Sequence, residues 1–161
     1  MIKRILVPVD GSKNAQKALD YALDLAESTS ASLTLLHVMP PLEYPSMPYQ
    51  SEVSPASVGV EGGISTAPIW TESFLQRTET DCEQMLKATL DGAKKAKPNL
   101  EITSKLVRGR PDDMIISTMR EGNFDLIVIG SHGRGGAAAA LLGSVSNSVV
   151  NKCHCPVTVV R

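Results

Sequence analysis

Apolar residues recur along this chain in two rhythms, and their alternation predicts the architecture. Residues 2–9 (Ile-Lys-Arg-Ile-Leu-Val-Pro-Val) contain a short apolar run closed by Asp10-Gly11. That is the pattern of a strand covered on both faces in a parallel sheet. Ser12 reads as a helix N-cap. Ala15, Ala18, Leu19, Ala22, Leu23 and Ala26 follow at three- and four-residue spacing, which lines one helix face. Residues 32–38 (Ser-Leu-Thr-Leu-Leu-His-Val) return to the strand pattern. Strand, helix, strand in this order makes a parallel unit with a right-handed crossover.

Residues 40–68 break both rhythms. Six of the ten prolines fall there, with no lysine or arginine. This is too long for an ordinary connection and reads as a lid or a disordered insertion. Helical spacing resumes over residues 71–97, with Phe74, Leu75, Cys82, Met85, Leu86, Leu90 and Ala93 facing inward and Pro98 beyond the end. A third strand is expected at 100–107. Pro111 suits the first position of the next helix, whose apolar side carries Met114, Ile115, Thr118 and Met119. Residues 125–129 (Asp-Leu-Ile-Val-Ile) predict a fourth strand, 144–152 a last helix and 156–160 a last strand. Five strands alternating with four helices predict a single α/β domain over 1–161. The expected fold is a doubly wound, Rossmann-like five-stranded parallel sheet with helices on both faces.

Composition narrows the function. A chain of 161 residues, 42% apolar and 20% charged, can bury a sizeable core. The formal net charge of −1 lacks the basic excess that a nucleic-acid partner or an acidic membrane surface calls for. Aromatic residues at 4% offer little for stacking on exposed bases. No apolar stretch reaches the roughly 18 residues of a membrane span, and the apolar run at the N-terminus is too short for a signal peptide. Three cysteines do not make a disulfide framework, so a reduced, cytoplasmic protein is expected.

The chemistry concentrates in a loop. Five of the twelve glycines lie between Gly130 and Gly143, after the fourth strand and ahead of the last helix. Glycine accepts positive φ, and its missing Cβ lets backbone N–H groups approach a ligand closely. The helix beginning near Ser144 adds unpaired N–H groups and a positive dipole end. Together these suit an anion, most naturally phosphate. A lysine is not required. Micromolar affinity corresponds to about 8 kcal/mol, and three or four charge-assisted hydrogen bonds at roughly 1.5–3 kcal/mol each supply much of that gross interaction. A buried adenine adds to it, against the entropy of association. Arg134 is placed to assist. If the fourth strand lies beside the first, the crevice opens at the carboxyl ends where the strand order reverses. That brings Asp10 to Gly130, with Asp10 placed to accept from base or ribose and Val38 giving apolar contact.

Other patterns carry less. Gly133-Arg-Gly-Gly-Ala-Ala138 imitates a dinucleotide fingerprint. It follows the wrong strand, however, and no acidic residue comes after Asp125 to hold a ribose. No Gly-Lys-Ser/Thr is present for a P-loop. Asp10 also suits a turn with Gly11, and His37 and His132 suit packed positions. Cys153-His154-Cys155 puts three potential ligands within three residues, with no matching cluster to complete a zinc site.

Several motifs together resemble the universal stress protein family, in its ATP-binding subgroup. They are Val7-Pro8-Val9-Asp10-Gly11-Ser12, Leu36-His37-Val38, Gly109-Arg110-Pro111 and the spacing Gly130-x2-Gly133-x9-Gly143-Ser144. The resemblance covers residues 2–161 apart from the 40–68 insertion, which departs from the shortest members. It implies that Pro8, Val9, Asp10 and Val38 surround adenine and ribose. Ile129, Gly130 and Gly133, with Arg134, would line the phosphate side, and Gly143, Ser144 and Val145 would hold the phosphates. It also implies ATP as ligand, with Mg2+ as the generic companion of a triphosphate, and a homodimer paired through the last strand. The role implied is a regulatory stress sensor with an unidentified protein partner and slow or no hydrolysis. A slow ATPase or phosphotransferase, with His132 the one titratable candidate in the loop, stays open. So does a dimeric interaction protein that uses no nucleotide. Residue types alone do not separate ATP from AMP or a cyclic nucleotide.

Overall fold

A computed structural model of the chain describes residues 1–39, 41, 72–133 and 142–161, with the backbone alone of 72–75. The expected 40–68 insertion, Pro41 apart, lies outside the described residues, as do Arg134 and the glycine-loop residues through 141. Phe74 and Leu75 lie outside the described side chains.

Nine elements follow in strict alternation: β1 (Arg4–Pro8), α1 (Lys13–Thr29), β2 (Ser32–Met39), α2 (Glu72–Ala96), β3 (Ile102–Arg108), α3 (Pro111–Glu121), β4 (Leu126–Gly130), α4 (Ser144–Lys152) and β5 (Val157–Val160). The strands lie within two residues of their expected bounds, the usual margin for where a strand begins or ends. Local chemistry sets the helix ends. Ser12 caps α1, its hydroxyl accepting from the Ala15 N–H at 3.1 Å. Pro111 opens α3 behind an extended Arg110, where its missing N–H costs nothing.

The sheet is parallel throughout, in the order β3-β2-β1-β4-β5. Ile5 of β1 stands between Leu33 of β2 and Leu126 of β4. The chain therefore works outward from β1 to one edge, crosses back, and works outward again from β4. Both faces are covered, and alternate residues of each inner strand divide between two cores. Ile5, Val7, Leu33, Leu35, Leu126 and Val128 face Ala18, Leu19 and Ala22 of α1 and Leu86 and Ala93 of α2. Leu6, Leu36, Ile127 and Ile129 face Ile115 and Met119 of α3 and Val149 of α4. Nearly all are sealed from solvent, which explains why β1 and β4 read as unbroken apolar runs rather than alternating ones. Cys82, Met85 and Leu90 of α2 are only partly buried, so the inward stripe of that helix is narrower than its spacing suggests.

Candidate functional site

The strand order reverses between β1 and β4, and a cleft of about 410 Å³ opens there at the carboxyl ends of the strands. This is where an open α/β sheet admits a ligand, and the volume falls in the range of small-molecule sites. Four connections build its rim: the turn after β1, the end of β2, the start of α3, and the segment from β4 into α4. Of the eleven residues singled out from sequence, ten line it: Pro8, Val9, Asp10, Val38, Ile129, Gly130, Gly133, Gly143, Ser144 and Val145. Arg134 lies outside the described residues.

Each wall has a local cause. In the turn after β1, Asp10 Oδ1 accepts from the Ser12 N–H at 2.9 Å, and Gly11 takes φ 78°. The aspartate thus shapes the turn, as its residue type allows, while its side chain still faces the cleft. A Cβ on Gly133 would come within 2.7 Å of Asp10 Oδ2. Glycine there lets the β4 loop close onto the carboxylate. Gly130 serves a different need. A Cβ on it would meet the backbone of Asn14 and Ala15 at 2.8–2.9 Å, so its absence seats the first turn of α1 against the end of β4. Positive φ, one of the two uses expected of these glycines, falls among the described glycines on Gly11 and Gly109 instead. Gly130, Gly133 and Gly143 are there for close approach.

The far side of the loop is pinned to the near side. The Gly143 N–H donates to the Ser131 carbonyl at 2.8 Å. The Ser146 hydroxyl is 2.8 Å from that same oxygen and 3.0 Å from the Gly143 carbonyl. The two stems of the glycine loop are therefore held together whatever the residues between them do. Gly143 is the N-cap of α4 and no side chain caps that end. The first bond inside the helix runs from the Asn147 N–H to the Gly143 carbonyl at 2.9 Å. The N–H groups of Ser144, Val145 and Ser146 thus project from the helix end into the cleft that these residues line.

The charge of the described walls is slight. Among the described residues, Asp10 is the single carboxylate lining the cleft, and no lysine or arginine lines it. Positive potential comes from the helix terminus and loop amides. Val38, Ile115, Ile129 and Val145 supply a dry, apolar slot beside them. The imidazole Nε2 of His132 is buried without a hydrogen-bond partner, and its Nδ1 lies 3.2 Å from the Ser131 hydroxyl. His37 donates from Nδ1 to the Val9 carbonyl at 2.6 Å, which ties the end of β2 to the turn after β1. No group of three His, Cys, Asp or Glu side chains that could hold a metal occurs among the described residues.

A polar clamp behind the cleft was not visible in sequence. Asp112, buried in the first turn of α3, accepts from the Ser148 hydroxyl at 2.6 Å and pairs with Lys152 at 3.0 Å. The Ser148 hydrogen bond, then the Lys152 ammonium, hold its carboxyl down at about 2. Ser148 and Lys152 lie four apart on α4, a spacing that puts them on one face. It gave no sign that their partner was an aspartate 36 residues earlier. The clamp fixes α4, whose first turn faces the cleft, to α3, whose Pro111 and Ile115 line it.

A sequence model described as the universal stress protein family matches residues 1–161. The Bacillus subtilis universal stress protein YxiE is 31% identical across the full length of both chains. The Mycobacterium tuberculosis universal stress protein Rv2623 is also 31% identical over 98% of this chain, which spans 44% of that longer relative. Among solved structures, the hypothetical protein MJ0577 superposes with a TM-score of 0.72 at 26% identity, covering 99% of this chain and 96% of the other. A universal stress protein in complex with cAMP (TM-score 0.67, 22% identity, covering 99% and 97%) shares the fold. So does one from Archaeoglobus fulgidus in complex with dAMP (TM-score 0.61, 19% identity, covering 100% and 98%).

Proposed function

The chain belongs to the universal stress protein family, and on that premise we propose that it is an ATP-binding regulatory protein of the stress response with little or slow hydrolysis. The observation that carries the reading is the cleft itself. An apolar slot and an uncapped helix N-terminus meet at the switch point of the sheet, with Asp10 opposite. Adenine fits between Pro8, Val9 and Val38, and the ribose hydroxyls lie within reach of the Asp10 carboxylate. The phosphates lie against Gly130, Gly133, Gly143 and the amides of Ser144 and Val145, and the assisting cation proposed for them is Arg134, which falls outside the described residues. Proteins of this fold in complex with cAMP and with dAMP are in keeping with an adenine nucleotide. Asp10 is the one described carboxylate in the cleft, so Mg2+ would be held chiefly by the phosphates and water, as is usual for that ion.

A regulatory role is the reading that the described walls of the cleft favour. A general base must reach the proton it abstracts, and Asp10 sits at the nucleoside end of this arrangement. His132 favours a second reading as a slow ATPase, since its Nε2 is buried without a partner at the cleft. Loss of turnover in His132→Ala with ATP affinity intact would select it. The outer edge of β5, which pairs with no other strand among the described residues, suits a homodimer formed by strand pairing, with a further regulatory protein reading the nucleotide state.

Calorimetric titration of ATP into nucleotide-stripped protein tests the site, with Ser144→Glu as the variant. Ser144 is exposed at the first position of α4. A carboxylate there favours the helix dipole while repelling phosphate. ATP affinity should fall at least tenfold, about 1.4 kcal/mol, with the melting temperature unchanged or higher. Equal affinity in wild type and variant would remove the phosphates from this helix end. No binding by either would leave the protein-interaction reading.

A further inference from the structure

Cys153 and Cys155 flank His154 where α4 gives way to β5. Cys153 closes the helix: its N–H donates to the Val149 carbonyl at 2.9 Å and its own backbone is extended. The chain bends at His154 and Cys155, and the bend turns the two side chains to the same side. Their sulfur atoms lie 3.4 Å apart. Both thiols are partly exposed, on the face that α3 and α4 cover. Cys82, the third cysteine, lies on α2 over the opposite face.

This geometry is nearly that of a bond. A disulfide needs sulfurs about 2.05 Å apart on Cα atoms about 4.4–6.8 Å apart. Residues two apart in a bent segment are always nearer than the roughly 7 Å of full extension. The sulfurs have little more than about 1 Å to close.

We propose that Cys153 and Cys155 are a reversible redox-modification site, oxidised to an intrachain disulfide by a low-molecular-weight disulfide of the glutathione type. Cys153 gives up its proton, and its sulfur attacks one sulfur of the small disulfide. That S–S bond breaks, and the departing thiolate takes a proton from water to leave as a thiol. Cys155 then loses its proton and attacks Cys153 Sγ. The mixed disulfide breaks and releases the second small thiol. The two cysteines lose two electrons, and the small disulfide gains them as two thiols. The order follows from the surroundings. Burial, and then Cys153 alongside, push the Cys155 thiol up to about 12, and its sulfur lies 3.5 Å from the Pro156 carbonyl that accepts its hydrogen. Cys153 therefore attacks first, and Cys155 resolves. A ring this small is strained, which places it among the labile, regulatory disulfides rather than the structural ones. The site is independent of what the cleft holds.

The test equilibrates the reduced full-length protein in buffers of graded glutathione to glutathione-disulfide ratio, quenches with acid, alkylates and weighs the intact chain. The expected oxidised species is two hydrogens lighter, carries one alkyl group, located on Cys82, and reverts with dithiothreitol. Cys155→Ser should instead accumulate one glutathione adduct on Cys153, and Cys82→Ser should form the disulfide as the wild type does. Three alkyl groups at every ratio would overturn the proposal. So would a stable glutathione adduct on the wild type, or a disulfide involving Cys82 or a second chain.

Discussion

Asp112 shows how much one side chain behind the cleft decides. Its carboxyl is held down at about 2 by Ser148 and Lys152, whereas an unfolded aspartate titrates near 3.9. The folded form thus favours the ionised state, and the stability this lends is complete above about pH 4. It should fade as the pH falls toward 2, and at neutral pH it amounts to about 2 kcal/mol. Chemical denaturation of wild type and Asp112→Asn at several pH values checks this. The variant should be less stable at pH 7, and the gap should narrow below pH 4. A gap that stays constant down to pH 2 would mean that the carboxylate's charge is not what the clamp uses. Gly130 makes the complementary point, since its role is steric. Gly130→Ala forces a Cβ into the α1 backbone at 2.8–2.9 Å, and overpacking of this kind typically costs about 1–3 kcal/mol. The loss should appear in stability even with no nucleotide present.

Among the elements, β3 and β5 form the two edges of the sheet, and the proposed homodimer would pair through β5. The Pro156 carbonyl accepts from Ile127 at 3.1 Å and the Val160 carbonyl from Ser131 at 2.7 Å. Alternation along the strand therefore turns the N–H groups of Val157 and Val159 away from β4. Val159→Pro removes an outward donor and leaves the β4 ladder its bonds. Light scattering after gel filtration should show a dimer for the wild type and a monomer for this variant, with similar circular dichroism. Identical masses would place any self-association elsewhere. At this scale the sequence was most legible. Strands buried on both faces announce themselves as apolar runs, whereas β1 beside β4 entered only as a condition, because right-handed crossovers allow several strand orders. Ser12 and Pro111 marked their helix starts because capping is chemistry between near neighbours. The Asp112–Ser148 bond, the Ser131 carbonyl that staples the glycine loop, and the 3.4 Å sulfur contact escaped notice. Each depends on packing that periodicity does not encode.

Taken as a whole, the molecule joins its two cores through one sheet, so a ligand at the switch point touches elements on both faces. If ATP binds there, saturation a hundredfold above its Kd adds about 2.7 kcal/mol to the folded state. For a domain of this size that raises the melting temperature by roughly 5–10 °C. Thermal scans at rising ATP concentration should show that trend in the wild type and at most about half of it in Ser144→Glu at the same concentrations.

The pairing of Ile5 with Leu126 also has a cost in time. A ribosome adding roughly 5–20 residues per second needs about 6–24 s to travel from one to the other. Once β1 emerges from the ribosome it waits about that long with no β4 to pair with, and its backbone edge stays open. The nascent chain is therefore open to wrong strand pairing until β4 is made.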